Sequence, residues 1–186
     1  MPLKITFVTS NANKFSEALL ILGKHVQLSQ EALELEEIQS VELEKVARHK
    51  LMHAYAKLQQ PLFCEDTGLH IAELNNFPGA LIKHYLDRVG TEGIGHLHGG
   101  SPAYAKTVVG YHDGENIHFF TGIIHGIIAA RPQGKGFGWS TIFIPHIEGR
   151  NNTKSFAEIP ITLKNEISMR SQALKEMLDH ITANKE

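Results

Sequence analysis

Ala105-Lys106-Thr107-Val108-Val109-Gly110-Tyr111 is rich in β-forming residues, and beyond Asp113-Gly114 the pattern resumes in Ile117-His118-Phe119-Phe120 and in Ile123 to Ala130. Asp-Gly between β-rich runs is a hairpin signal, so Ala103 to Ala130 reads as consecutive antiparallel strands. Upstream the rhythm differs. Lys4-Ile5-Thr6-Phe7-Val8-Thr9 reads as a first strand, and Ser10-Asn11-Ala12-Asn13 offers capping residues for a helix with Phe15, Ala18, Leu19 and Leu22 at helical spacing. Gly23 is its stop, and a short strand is expected around Val26 to Leu28. Val41 to Gln59 predicts a longer helix with Val46, Ala47, Leu51, Ala54 and Tyr55 as its apolar stripe. Pro61-Leu62-Phe63-Cys64 reads as a buried strand ending in Glu65-Asp66-Thr67-Gly68. A third helix is expected from Ala80 to about Val89, a strand over Trp139 to Ile144, and a closing helix over Ile167 to His180. Helices early and clustered strands later predict one α/β unit with a mixed sheet over residues 1–186.

Composition narrows the function. The 186 residues hold 18 Lys plus Arg against 20 Asp plus Glu, a net charge of -2. That balance argues against a nucleic-acid polymer or an acidic membrane as partner, although a local site for a small polyanion stays open. Cys64 is the single cysteine and cannot form an internal disulfide, so a reducing compartment is expected. No apolar run reaches membrane-spanning length, and Met1-Pro2-Leu3-Lys4 leads into a strand rather than a signal peptide. The expectation is a cytoplasmic protein.

Several groups could carry chemistry. Thr9-Ser10-Asn11-Ala12-Asn13-Lys14 sits at a strand-to-helix junction, where free N–H groups and a lysine suit an anion; a plain capped helix is the alternative. Glu36-Glu37 and Glu65-Asp66 are hard oxygen donors of the kind Mg²⁺ takes together with phosphate oxygens. Asp66 stands where α/β proteins place functional groups. His49 and His53 are four apart on a helix, but no third zinc ligand is apparent in the sequence. Gly134-Lys135-Gly136-Phe137-Gly138 lacks the strand-then-helix context of a dinucleotide loop. Phe137 and Trp139 alternate with small residues, so both rings could face a cleft, or both could be core.

Taken in order, the segments Thr9 to Lys14, Glu37-Ile38-Gln39, Lys50, Glu65-Asp66-Thr67-Gly68-Leu69, Phe77-Pro78-Gly79-Ala80-Leu81-Ile82-Lys83, Phe137-Gly138-Trp139, Ser155-Phe156-Ala157-Glu158 and Lys164-Asn165-Glu166-Ile167-Ser168-Met169-Arg170 resemble the inosine triphosphate pyrophosphatase family, its eukaryotic-type members most closely. The resemblance implies an elongated two-lobed α/β fold with a central nucleotide cleft, a homodimer, and Mg²⁺-dependent hydrolysis of deaminated purine nucleoside triphosphates to monophosphate and pyrophosphate. By position, Thr9, Asn11, Lys14, Lys50 and Lys83 would lie on the substrate, with Asn11, Lys14 and Lys50 holding its phosphates. Glu37 and Asp66 would be the metal ligands. Asp66, with Glu65 near it and Lys50 beside it, would position or deprotonate the attacking water. Phe137, Gly138, Trp139 and Ser140 would flank the base, while Lys164, Ser168, Met169 and Arg170 would read its edge.

Two departures fall at the base end. The family's aromatic-Asp-Pro run reads Trp139-Ser140-Thr141, and its Ser-His-Arg reads Ser168-Met169-Arg170. An acid and an imidazole are thus replaced by a hydroxyl and an adaptable apolar side chain. Altered base selectivity is expected. The competing readings are a diverged nucleotide-binding protein with little turnover and a histidine-rich metal-binding module.

Overall fold

The computed structural model describes residues 3–183, so Met1-Pro2, with which the reading of the N-terminus began, lies outside the described residues. The chain alternates as β1 (Lys4–Val8), α1 (Ala12–Leu22), β2 (Gln27–Glu31), α2 (Leu43–Leu58), β3 (Leu62–Ile71), β4 (Pro78–Gly79), α3 (Ile82–His98), β5 (Pro102–His112), β6 (Ile117–Ile128), β7 (Phe143–Pro145), α4 (Ile161–Ile167) and α5 (Met169–Ala183). The described strands form one sheet in the order β2-β1-β3-β5-β6-β7, with β4 added beside β3. β1 runs parallel to β2 and β3, whereas β3, β5, β6 and β7 pair antiparallel. Helix crossovers supply the parallel part and hairpins the rest.

β3 decides where the site falls. It does not end in Glu65-Asp66-Thr67-Gly68 as expected but runs on to Ile71, paired with β5 from Leu62↔His112 to Ile71↔Ala103. Side chains alternate along a strand, so Phe63, Glu65, Thr67, Leu69 and Ile71 share one face, and Leu62, Cys64 and Asp66 the other. On the first face, Phe63 belongs to a core cluster with Ile5, Phe7, Ala18, Ala173, Leu174 and Met177, under α1 and α5. Leu69 and Ile71 belong to a second cluster with Ile94, Ile124, Ile142, Phe143 and Phe156. Glu65 and Thr67 stand between the two. On the opposite face, Leu62 and Cys64 pack with Leu51 and Ala54 of α2. A polar interruption of one strand thus separates two apolar bodies.

The other departures have local causes. The expected strands Ile117 to Phe120 and Ile123 to Ala130 are one strand, β6. Gly122 is not a break. It lets α5 begin against the sheet, since a Cβ there would lie 1.9 Å from the Met169 carbonyl oxygen. The expected strand Trp139 to Ile144 is a 3₁₀ turn over Gly138–Thr141 followed by the short β7. The third helix does stop being regular near Val89, because Gly90 has φ 72° and ψ 164°, a region that only glycine occupies readily, and helical structure resumes beyond it to His98. The closing helix begins at Met169 rather than Ile167, because Ser168 ends the separate short α4 and accepts the Ser171 N–H on its hydroxyl at 3.2 Å. Among the described residues no helix is long and apolar enough to cross a membrane.

Candidate active site

A cavity of about 790 Å³ opens between the two apolar bodies. α1 starts at its edge because Asn11 accepts hydrogen bonds from the Asn13 and Lys14 N–H groups at 3.0 and 3.2 Å. Thr9 Oγ1 accepts from the Asn11 N–H at 3.1 Å, tightening the turn that aims the helix start at the cavity. One turn along α1, Lys14 Nζ lies 3.1 Å from Glu65 Oε1. From α2, Lys50 Nζ lies 2.9 Å from Glu37 Oε1 and 3.4 Å from Asp66 Oδ1, and donates to the Glu65 carbonyl at 3.3 Å. Lys83, on the first turn of α3, is exposed on the same wall.

The strand's alternation sends the two adjacent acids in opposite directions. Glu65 meets Arg170 through Nε at 3.0 and 2.8 Å and through Nη2 at 2.9 Å. Arg170 Nη1 reaches on to Glu17, whose other oxygen accepts from Lys164 at 2.7 Å. Lys14, Glu65, Arg170, Glu17 and Lys164 therefore form one ladder of alternating charge along the cavity wall, buried at Glu65, Arg170 and Glu17 and partly exposed at its two lysines. Burial alone would raise the Glu65 pKa, but Arg170 and then Lys14 hold it down to about 2. Asp66 goes the other way: burial raises it, and Lys50 and Lys14 only partly offset that. Glu37 opposes its own desolvation through Lys50 and is lowered. Lys50, also desolvated, is held charged by Asp66 and Glu37 and is raised.

At the other end, Phe137 is 40% exposed and Trp139 is half-buried, its ring edge-on to Phe143 at 5.6 Å. Lys164 Nζ lies 5.6 Å from the Phe137 ring centre, a cation–π distance. Ser140 Oγ donates to the Phe137 carbonyl at 2.8 Å, and Met169 is buried in the cluster that contains Phe143.

A family model described as Ham1 family matches residues 5–180. The chain belongs to the Ham1 family. The inosine triphosphate pyrophosphatase of Kluyveromyces lactis is 36% identical over 187 residues, covering 96% of this chain and 95% of that protein. The dITP/XTP pyrophosphatase of Methanopyrus kandleri is 38% identical over 183 residues and covers 95% of each chain. A solved HAM1 protein from Coxiella burnetii has a TM-score of 0.81 at 24% identity, over 97% of this chain and 99% of its own, which is a likeness of fold.

In this Ham1 chain the cavity is lined by Thr9, Asn11, Lys14, Glu37, Lys50, Glu65, Asp66, Lys83, Phe137, Gly138, Trp139, Ser140, Lys164, Met169 and Arg170. Ser168, expected with them, is not on that wall: it is 2% exposed and serves the junction of α4 and α5. Glu65, expected near Asp66, is the next residue of β3 and pairs with Arg170 and Lys14. Nothing in the sequence pattern marks Glu17, because a lone acid in an amphipathic helix resembles a solvated one. Leu86, Asp87 and Thr91 of α3 also line the cavity and carry no motif. His49 and His53 stand ring to ring at 4.1 Å, and among the described residues no group of three His, Cys, Asp or Glu could hold a metal.

Proposed function

We propose that this chain hydrolyses deaminated purine nucleoside triphosphates, such as those of inosine, deoxyinosine and xanthosine, to the monophosphate and pyrophosphate. The observation that carries the reading is one cavity whose wall joins a charged group of Lys14, Lys50, Lys83, Glu37 and Asp66 to the side chains of Phe137, Trp139 and Met169. Relatives bearing the names inosine triphosphate pyrophosphatase and dITP/XTP pyrophosphatase, at 36 and 38% identity, support it. The cytoplasm as its compartment, a homodimer as its working form, and no membrane or nucleic-acid polymer among its partners complete the reading.

The residues suit the chemistry. Phosphoanhydride hydrolysis needs charge neutralisation and an oriented water, with no covalent step. The three lysines draw the triphosphate in. Asp66, with its pKa raised by burial, is matched to taking a proton from water nearer neutral pH than an ordinary carboxylate. Mg²⁺ fits Glu37 and Asp66, because it binds through one or two carboxylates plus substrate phosphates rather than an all-protein cage. Asp66, whose charged form burial disfavours, gains from such a cation. When bound, the ion would neutralise charge on the phosphate oxygens.

A 6-oxo purine accepts at O6 and donates at N1, whereas adenine presents the reverse. Lys164 commits one of its N–H groups to Glu17, and its cationic donors disfavour the adenine amino group. The decisive experiment incubates the purified protein and Mg²⁺ with a panel of nucleoside triphosphates and measures pyrophosphate. Inosine and xanthosine triphosphates should give equal amounts of monophosphate and pyrophosphate. Binding without pyrophosphate release would replace this reading with that of a diverged nucleotide-binding protein.

A further inference from the structure

α3 is two helical pieces joined at Gly90, whose φ of 72° and ψ of 164° take the backbone off the helical path. The second piece sits against the chain that follows β6. A Cβ at Gly95 would lie 2.8 Å from the Ala129 carbonyl oxygen, and one at Gly99 2.6 Å from the Ala130 Cα. The first piece carries Lys83, Leu86 and Asp87 onto the wall of the large cavity. Ile82, Leu86 and Val89 pack that piece against the second apolar cluster. Apolar burial has no direction, so it does not by itself set the angle between the two pieces.

A chain of side chains crosses the break. The Tyr85 hydroxyl, on the first piece, lies 2.6 Å from His98 Nε2, on the last turn of the second. His98 Nδ1 meets Glu73 Oε1, from the 3₁₀ turn Ala72–Leu74 that follows β3. A carboxylate only accepts, so His98 donates from Nδ1, and in the neutral imidazole Nε2 is then the acceptor for the tyrosine hydroxyl. His98 is 8% exposed, and with both ring nitrogens engaged the imidazole is held in one orientation. Hydrogen bonds are directional, so this chain fixes what the apolar packing leaves open.

We propose that Glu73, His98 and Tyr85 are positioning residues that, by fixing the first piece of α3, aim Lys83 at the triphosphate. The inference rests on the proposed binding of a nucleoside triphosphate in the large cavity. None of the three lines that cavity, so they act through Lys83 rather than on the substrate. Lys83 and Tyr85 share one turn of α3, and a rotation of that turn moves both.

The test measures the dissociation constant of the α,β-methylene analogue of inosine triphosphate for the parent, Tyr85→Phe, Lys83→Ala and the double variant. Tyr85→Phe keeps the ring, with its edge-on contact to Phe77 at 5.8 Å, and loses only the hydroxyl. It should raise the constant about fivefold and Lys83→Ala about tenfold, while adding Tyr85→Phe to Lys83→Ala should cost less than about twofold more. Such coupling to one lysine is a readout that a merely structural role would not move. Glu73→Ala, at an exposed position, tests the same chain from its other end and should raise the constant about threefold. Parental affinity in Tyr85→Phe and Glu73→Ala, or a double variant that shows both losses in full, would overturn the clamp while leaving nucleotide binding standing. Parental affinity in Lys83→Ala would overturn the clamp together with the place of Lys83 on the phosphates. A parent that binds the analogue but releases no pyrophosphate from inosine triphosphate loses the hydrolysis and keeps the clamp.

Discussion

Arg170 grips both carboxylate oxygens of Glu65, Nε at 3.0 and 2.8 Å and Nη2 at 2.9 Å, with both residues almost wholly buried. The grip lowers the Glu65 pKa to about 2, while burial raises that of the next residue, Asp66. Two neighbouring acids are thus pushed apart, and such a split assigns roles. Glu65 stays ionised and fixes Lys14. In the proposed hydrolysis Asp66 would be the group that takes the proton.

Replacing each acid by its amide should therefore do different things. Asp66→Asn should lower kcat by about 100-fold or more through loss of the base. A carboxyl whose folded pKa is raised favours the folded state only at low pH, so at neutral pH its removal should leave the melting temperature unchanged or higher. Glu65→Gln should destabilise the fold by roughly 3–5 kcal/mol, because Arg170 loses half of a buried pair. Pyrophosphate release and thermal melts check both, and near-normal turnover in Asp66→Asn would mean that the base lies elsewhere.

Acid should expose the same split. Glu65 has a depressed pKa, so its contribution to stability is complete above its ordinary 4.5 and is lost as pH falls through about 2. Melting temperature should decline across that window, and less steeply in Glu65→Gln. Burial raises Asp66 above its ordinary 3.8 in the metal-free protein, and a divalent cation held by it opposes that, so the acid limb of kcat should move to lower pH as Mg²⁺ rises. A pH series of melts beside a pH–rate profile separates the two.

The sequence carried the sheet better than the site. β-forming composition and Asp113-Gly114 were enough for β5 and for the hairpin that leads into β6, since both act locally: Asp113 Oδ1 accepts from the Glu115 and Asn116 N–H groups at 2.8 and 2.7 Å to close the turn. Gly122 misled because its need is tertiary, the approach of Met169. Trp139 to Ile144 has strand composition, but Gly138 at φ 59° turns the backbone into a 3₁₀ turn. Asn11 and Lys14 were legible as a cap and a cation. That Lys14, Glu65, Arg170, Glu17 and Lys164 form one ladder was not, because its members come from α1, β3, α4 and α5 and meet only when the sheet is built.

Lys14 should act on binding more than on chemistry. Lys14→Ala removes a charge-assisted contact worth ~1.5–3 kcal/mol, a roughly 10- to 150-fold rise in KM with a smaller change in kcat. Glu65 keeps Arg170, so the fold should persist. Steady-state kinetics with inosine triphosphate distinguish this from a fall in kcat alone.

Turnover should need a divalent cation. Glu37 and Asp66 are all-oxygen donors, and Cys64, the one soft group near them, is buried with its thiol pushed up to about 12 by desolvation. Excess chelator should abolish pyrophosphate release, and Mg²⁺ alone should restore it. Full turnover in chelator would remove the metal from the reading.

The proposed loosening of base selectivity turns on what Ser140 and Met169 do not supply. The Ser140 hydroxyl is spent on the Phe137 carbonyl at 2.8 Å, and Met169 brings no hydrogen bond to the cavity wall. In the proposed function, recognition of the base edge would then fall to Lys164 and Arg170, which already hold Glu17 and Glu65. A site that hydrogen-bonds a substrate group can reject an analogue lacking it by ~10⁴-fold, and shape alone gives far less. The unaltered protein should accordingly separate inosine from adenosine triphosphate by less than about 10³-fold in kcat/KM. Restoring the residues usual in the family, as Ser140→Asp with Thr141→Pro and Met169→His, should widen that ratio by about tenfold or more, provided the changes are made together, since neighbours in one pocket do not act additively. A parent that already discriminates more sharply, or a triple variant with an unchanged ratio at normal affinity, would place recognition in Lys164, Arg170 and the backbone alone.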